Sequence, residues 1–237
     1  MVKATTLWFA ACPLFLKIIR NWPALGAAHV CFLALVCPCF PINRLLLILL
    51  LFFPALLAGA NEEEKIAALY ARGLAGDKQA VIDCVSALEA HLAQQPNDQR
   101  ARVYLGSCWT LRSRDLPIGL SKLTALRKGI VLMDQAAASA PDDPKVFLVR
   151  AVTNEALPRF LGRSSAARQQ LKDLVDLAEK NPGRLSPPDG QLLYLNAGEA
   201  AQRNGEKMRA RELWERGLKI SGDPKLTAEL RQALLER

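Results

Sequence analysis

Histidine is almost missing from this chain of 237 residues: there are two, and only His91 lies beyond residue 60. Cysteine is nearly as scarce there, with Cys84 and Cys108 alone. One isolated imidazole excludes His-rich metal centres, which need several ligands together. It also leaves the serines without an activating base. No G-x-S-x-G, P-loop, G-x-G-x-x-G or H-E-x-x-H occurs, so the patterns that mark hydrolases, nucleotide binders and metalloproteases are missing. Strand-type alternation is missing as well. No Lys/Arg cluster with interleaved aromatics occurs, which argues against nucleic acid as a partner. The residues therefore indicate no enzyme, no cofactor and no metal.

Acidic residues are absent from the first 60 positions, whose only charges are Lys3, Lys17, Arg20 and Arg44. Setting these aside reduces the net charge from +8 to +4. The high isoelectric point, near 9.4, thus reflects the leader in part. After residue 60, basic and acidic residues alternate, as on solvated helical faces.

Residues 45–57 read LLLILLLFFPALL, followed by Ala58-Gly59-Ala60 and Asn61-Glu62-Glu63-Glu64. A basic residue, a short apolar core and an A-x-A site are the layout of a secretory signal peptide, with cleavage expected after Ala60. The apolar run, about 15 residues, falls short of the roughly 20 that span a bilayer. The preamble, 1–43, is apolar and holds four cysteines. Three readings fit it: a start codon placed too far upstream, a long targeting segment, or a retained anchor. The organisation expected is an apolar leader over 1–43, a signal peptide or membrane anchor over 44–60, and a folded domain over 61–237. Location is expected to be exported and periplasmic, or anchored in the inner membrane and facing the periplasm. The membrane is expected to be met only through the leader.

The remainder reads as helix, with apolar residues three and four apart, as in Ile66, Leu69, Tyr70 and Leu74. Its punctuation is periodic. Pro96, Pro141, Pro182 and Pro224 follow one another at 45, 41 and 42 residues. Proline stops a helix because it lacks an N–H and clashes with the preceding turn. Asn97, Asp98, Asp142, Asp143 and Asp223 then stand ready to cap the next one. A second break falls within each period. Four helical hairpins result, at about 62–96, 98–141, 143–182 and 188–223, with a closing helix over 224–236.

Tyr194-x2-Ala197-Gly198-x2-Ala201, then Gly205, then Ala210-x3-Trp214-x2-Gly217, resembles the tetratricopeptide repeat (TPR) pattern W-x2-L-G-x2-Y, A-x3-F, P. Leu105-Gly106-x2-Trp109 resembles its first half, and Gly129-x3-Met133-x2-Ala136 with Pro141 its second. Arg150-Ala151 with Ala167-x3-Leu171 is a looser copy. The resemblance, to an exported bacterial member of the TPR-like superfamily, implies an all-α, right-handed α-solenoid of about four hairpins with a C-terminal capping helix. It also implies an interaction scaffold whose partner is another protein or peptide. A peptide-carboxylate clamp of Asn and Lys is not matched at Val103, Ser107, Leu148, Val152, Leu195 and Glu199.

Small residues at Gly106, Ala151 and Gly198 are expected where two helices cross closely, with Gly129, Ala167, Ala197 and Ala210 as further repeat-packing positions. Trp109, Met133, Phe147, Leu171 and Trp214 are expected to fill the space between hairpins. The middle hairpins are lengthened near their inner turns, which makes Arg112, Arg114, Arg159 and Arg163 the candidate partner-binding cations, gathered on one edge. The lengthened parts could also serve self-association. Cys84 and Cys108 fall on neighbouring helices, either as a disulfide or as two buried core residues. The function expected is a non-catalytic interaction scaffold of the bacterial envelope. The alternative is a periplasmic small-molecule-binding or transporter-accessory helical protein, which requires a closed apolar pocket.

Overall fold

The computed structural model describes residues 62–235. They belong to the unit Ala60–Arg237. The segments 1–43 and 44–60 and the cleavage after Ala60 lie outside the described residues.

Among the described residues there are nine α-helices and no strand. They are α1 (62–74), α2 (Lys78–Gln94), α3 (Gln99–Asp115), α4 (Leu120–Ser139), α5 (Pro144–Ala156), α6 (Ser164–Lys180), α7 (Pro187–Arg203), α8 (Lys207–Leu218) and α9 (Pro224–Leu235). A short 3-10 turn, Arg159–Leu161, precedes α6. None of these helices is long and apolar enough to cross a membrane.

Each boundary has a local cause. Asp77, Asp98, Asp143 and Ser186 accept first-turn N–H groups of α2, α3, α5 and α7, and Asp223 accepts that of Lys225 in α9. Such caps satisfy donors that lack an intrahelical partner. Of the residues expected to cap, Asn97 and Asp142 do not, because each stands one position too early. Asp98 and Asp143 cap those two helices, and Asp77 and Ser186 are caps beyond the expected set. Pro144, Pro187 and Pro224 open their helices, where a missing N–H costs nothing. The turn between α7 and α8 needs Gly205 at φ 86°, a conformation that side chains disfavour.

The helices pair as α1/α2, α3/α4, α5/α6 and α7/α8, and α9 packs on α7 and α8. The first helix of each pair also packs on the first helix of the next: α3 on α5, and α5 on α7. Each of these helices therefore serves two cores. Leu105 and Cys108 of α3 join Cys84, Val85 and Leu88 of α2. Val103 of the same helix joins Met133 of α4 and Val146 of α5. Leu148 and Ala151 of α5 then join Leu171, Leu193, Trp214 and Leu230. Stability in such an array is a sum of neighbour interfaces, each hairpin burying its apolar face against the next.

The lengthening of the middle hairpins takes two forms. Between Gly106 and Gly129 the excess is helix: α4 runs 20 residues against 12 for α8, and only residues 116–119 form the turn. Between Ala151 and Ala167 it is the loop with the 3-10 turn.

Candidate functional site

The first helices of successive hairpins run parallel and in register, and contacts at both ends fix this. At their C-terminal ends, Arg114 of α3 donates to the Gly73 carbonyl of α1 at 3.1 Å, and Arg203 of α7 donates to Glu155 of α5 at 3.3 Å. At their N-terminal ends, Arg100 of α3 meets Asp143, the cap of α5, at 2.6 Å, and Lys145 of α5 meets Asp189 of α7 at 3.3 Å. Equivalent positions therefore form rows across the hairpins. Half-exposed side chains on these helices include Tyr104 on α3, Val152 on α5, and Asn196 and Glu199 on α7.

Between these helices lies a buried chain of hydroxyls. Tyr70 Oη and Ser107 Oγ are 2.9 Å apart, Ser107 Oγ and Thr153 Oγ1 3.0 Å, and Thr153 Oγ1 lies 2.8 Å from the Val149 carbonyl. Thr153 has one hydroxyl proton, so one arrangement satisfies every group. Tyr70 donates to Ser107, Ser107 to Thr153, and Thr153 to the carbonyl. Such a chain polarises each bond in turn, and it ties three hairpins together. Burial pushes the Tyr70 phenol far above its ordinary value. Sequence reading placed Ser107 on the inner face but gave no sign of the chain, whose members are 37 and 46 residues apart.

The small residues lie at close crossings. A Cβ on Gly106 would stand 2.7 Å from the Gly129 carbonyl oxygen and 2.6 Å from Met133 Cγ. A Cβ on Gly129 would stand 2.5 Å from the Gly106 carbonyl oxygen. A Cβ on Gly198 would overlap the Trp214 indole, whose N–H donates to the Leu195 carbonyl at 3.1 Å. Ala151, Ala167, Ala197 and Ala210 are buried. Trp109 and Phe147 are only half-buried, yet both pack against the cores between helices. Trp109 packs on the first core and is also met by cations, with Lys128 Nζ 3.8 Å and Arg112 Cζ 4.9 Å from its ring centre.

The four candidate arginines have unlike surroundings. Arg114 pairs with Asp115 at 2.8 Å, and Arg163 pairs with Asp134 at 2.8 Å, where Arg150 joins it. Burial alone would raise Asp134, yet these two guanidiniums hold it below the usual carboxylate range. Arg112 lies on Trp109. Arg159 has no ion pair among the described residues. Of the four, two thus engage carboxylates, Arg112 meets an indole, and Arg159 stands without an ion pair.

His91 Nε2 lies 2.9 Å from Asp98, the cap of α3. No group of His, Cys, Asp and Glu among the described residues is arranged to hold a metal ion. Cys84 and Cys108 are free thiols, both buried, with sulfurs 3.3 Å apart. Clefts among the described residues include two. One, of about 280 Å³, lies between α6, α7 and α8, with Leu171, Val175 and Leu213 at its floor and Arg168, Lys172 and Arg209 on its rim. The other, of about 530 Å³, is a polar opening beside Arg100, Asp142 and Arg184.

These helices, paired antiparallel and stacked through glycine and alanine crossings, define the TPR-like class of α-solenoids. Within that class, the chain is similar in structure to a thermophilic TPR protein of Thermus thermophilus, with a TM-score of 0.52 and 17% identity over 72% of this chain and 81% of the other. At that identity the likeness concerns the fold. No protein-family model and no curated protein matches the sequence.

Proposed function

We propose that the chain is a non-catalytic scaffold that binds another protein or peptide along the row of its first helices. The observation that carries this reading is the register of α3, α5 and α7. It leaves Tyr104, Val152, Asn196 and Glu199 half-exposed along the three helices, a mixed apolar and polar strip. Such a strip fits an extended or helical segment, with apolar anchors flanked by polar groups. Both clefts are open and edged by charged residues, which supports a scaffold over a carrier with a closed apolar pocket.

We further propose export to the bacterial envelope, on the apolar run and A-x-A site before residue 61. In that oxidising setting Cys84 and Cys108 would close a bond between the first two hairpins. Two reactive thiols per denatured chain from the envelope would reject the bond, and a mature N-terminus at Met1 would reject the cleavage.

Photo-crosslinking in cells tests the binding face. A crosslinking amino acid at Tyr104 or Asn196 is expected to capture one partner, whereas one at Ile82 or Val131, exposed on α2 and α4, captures none. Equal capture at all four positions overturns the proposed face.

A further inference from the structure

The turns within hairpins and the turns between hairpins lie at opposite ends of the helices, and they differ in kind. The inner turns, with the helix residues beside them, carry most of the apolar exposure. Ile118 is 98% exposed, Phe160 85%, Leu120 83%, Met208 76% and Leu74 55%. The turns between hairpins, at 95–98, 140–143, 181–186 and 219–223, contain no exposed large hydrophobic residue.

Charge is divided in the same way. At the inner turns every carboxylate has a cationic partner. Asp77 pairs with Arg72, Asp115 with Arg114, Glu155 with Arg203 and Glu206 with Lys172. Lys78, Arg159 and Lys207 stand at the same turns with no ion pair among the described residues. Lys122 meets only the carbonyls of Arg114 and Leu116. The edge therefore combines projecting apolar tips with surplus positive charge.

We infer that this edge, formed by the turns 75–77, 116–119, 157–163 and 204–206, docks on an anionic lipid surface. A protein partner needs a continuous complementary patch. Here the apolar groups project one or two per turn, with cations between them. A bilayer interface accepts such tips one by one, while anionic headgroups attract the cations. This contact would come from the repeat domain itself, apart from any made by the leader. It does not rest on the proposed binding strip, which runs along the helices rather than at their ends.

The test is hydrogen exchange of the full chain on protein-free vesicles, either neutral phosphatidylcholine or the same with added phosphatidylglycerol. Differences among peptides are read, not total binding, so adhesion through the leader does not decide the result. On the anionic vesicles, residues 116–123 and 157–163 are expected to exchange several-fold more slowly, and residues 140–143 and 181–186 at their free rate. Ile118→Ser with Phe160→Ser, both at exposed sites, is expected to keep its helical circular dichroism and lose the slowing. Removing one cation, as in Arg159→Gln, is expected to weaken the edge contact about fivefold. Slowing equal on neutral vesicles, absent on both, equal at the two edges or unchanged in the serine variant overturns the inference. So does slowing that needs membrane proteins, which would point to a protein partner.

Discussion

In α3/α4, Gly106 lies against the backbone of Gly129; in α7/α8, Gly198 lies against the indole of Trp214. Both hairpins bring two helices unusually close, and both need a missing Cβ to do so. In the second hairpin the obstacle would be main chain, which cannot be trimmed. In the fourth it is a side chain, which can. The TPR-like pattern records a small residue at both places. It does not record which kind of neighbour fills the space, and the two hairpins should therefore fail in different ways.

The largest effect is expected from Gly198→Leu. The added side chain meets the buried Trp214, and the last hairpin should unfold, seen as loss of exchange protection over α7 to α9. An unchanged melting temperature would show that the crossing is not tight. Next comes the contrast itself. Gly106→Ala and Gly198→Ala should each cost about 1–3 kcal/mol from overpacking, partly offset by the roughly 1 kcal/mol that Ala gains over Gly in a helix. Trimming the partner distinguishes them. Trp214→Leu should recover part of the loss at Gly198, whereas Met133→Ala should recover little at Gly106, because the Gly129 carbonyl remains. Double-mutant cycles by urea denaturation measure both, and equal recovery would remove the distinction.

Ser107→Ala breaks the hydroxyl chain that ties the first three hairpins, leaving Tyr70 without its acceptor in a buried site. A loss of about 1–3 kcal/mol is expected. No such chain ties the fourth hairpin to them, so exchange should rise in α1 to α5 more than in α8. A uniform rise would count against the chain.

The smallest effect separates the regions by pH. Burial alone would raise Asp98 and Asp143, yet hydrogen bonds hold both below their ordinary value of 3.8. For Asp98 the donors are the Ala101 N–H and His91, and for Asp143 chiefly Arg100. Their contribution is present above that value and is lost as pH falls through their lower folded values. Glu199 in α7 has the opposite sign. Burial, with Glu229 nearby and Arg203 opposing it, raises its carboxyl above 4.5. Stability from that group is present below 4.5 and lost as pH rises through its folded value. Glu199→Gln is thus expected to stabilise the chain slightly at pH 7 and not at pH 4. Equal melting temperatures for the two proteins at pH 7 would contradict the raised carboxyl.

Much of the fold is legible in the chain because its causes are local. The prolines at 45, 41 and 42 residue intervals mark the hairpins, and aspartates beside three of them, Asp98, Asp143 and Asp223, cap the following helices. Neighbours distant in the chain were not legible. A tryptophan at Trp109 reads as core, since large apolar residues at helical spacing usually are. It does pack on the first core, but its ring is also met by Lys128, which lies 19 residues away and on another helix. The four arginines read alike because sequence shows their charge and not their partners. Asp134, which engages Arg163, sits 29 residues earlier.

The sequence by itself determined the helices, their ends, the four-hairpin period and the places where side chains must be small. These follow from backbone sterics, capping and periodicity, which act over a few residues. Only the tertiary structure decided what meets each small residue, which cations are neutralised, and that the exposed apolar tips gather at one end of the helices. Those outcomes depend on parallel stacking of α3, α5 and α7, which brings together residues more than 40 positions apart. No local rule specifies such contacts, because they exist only once the hairpins have packed.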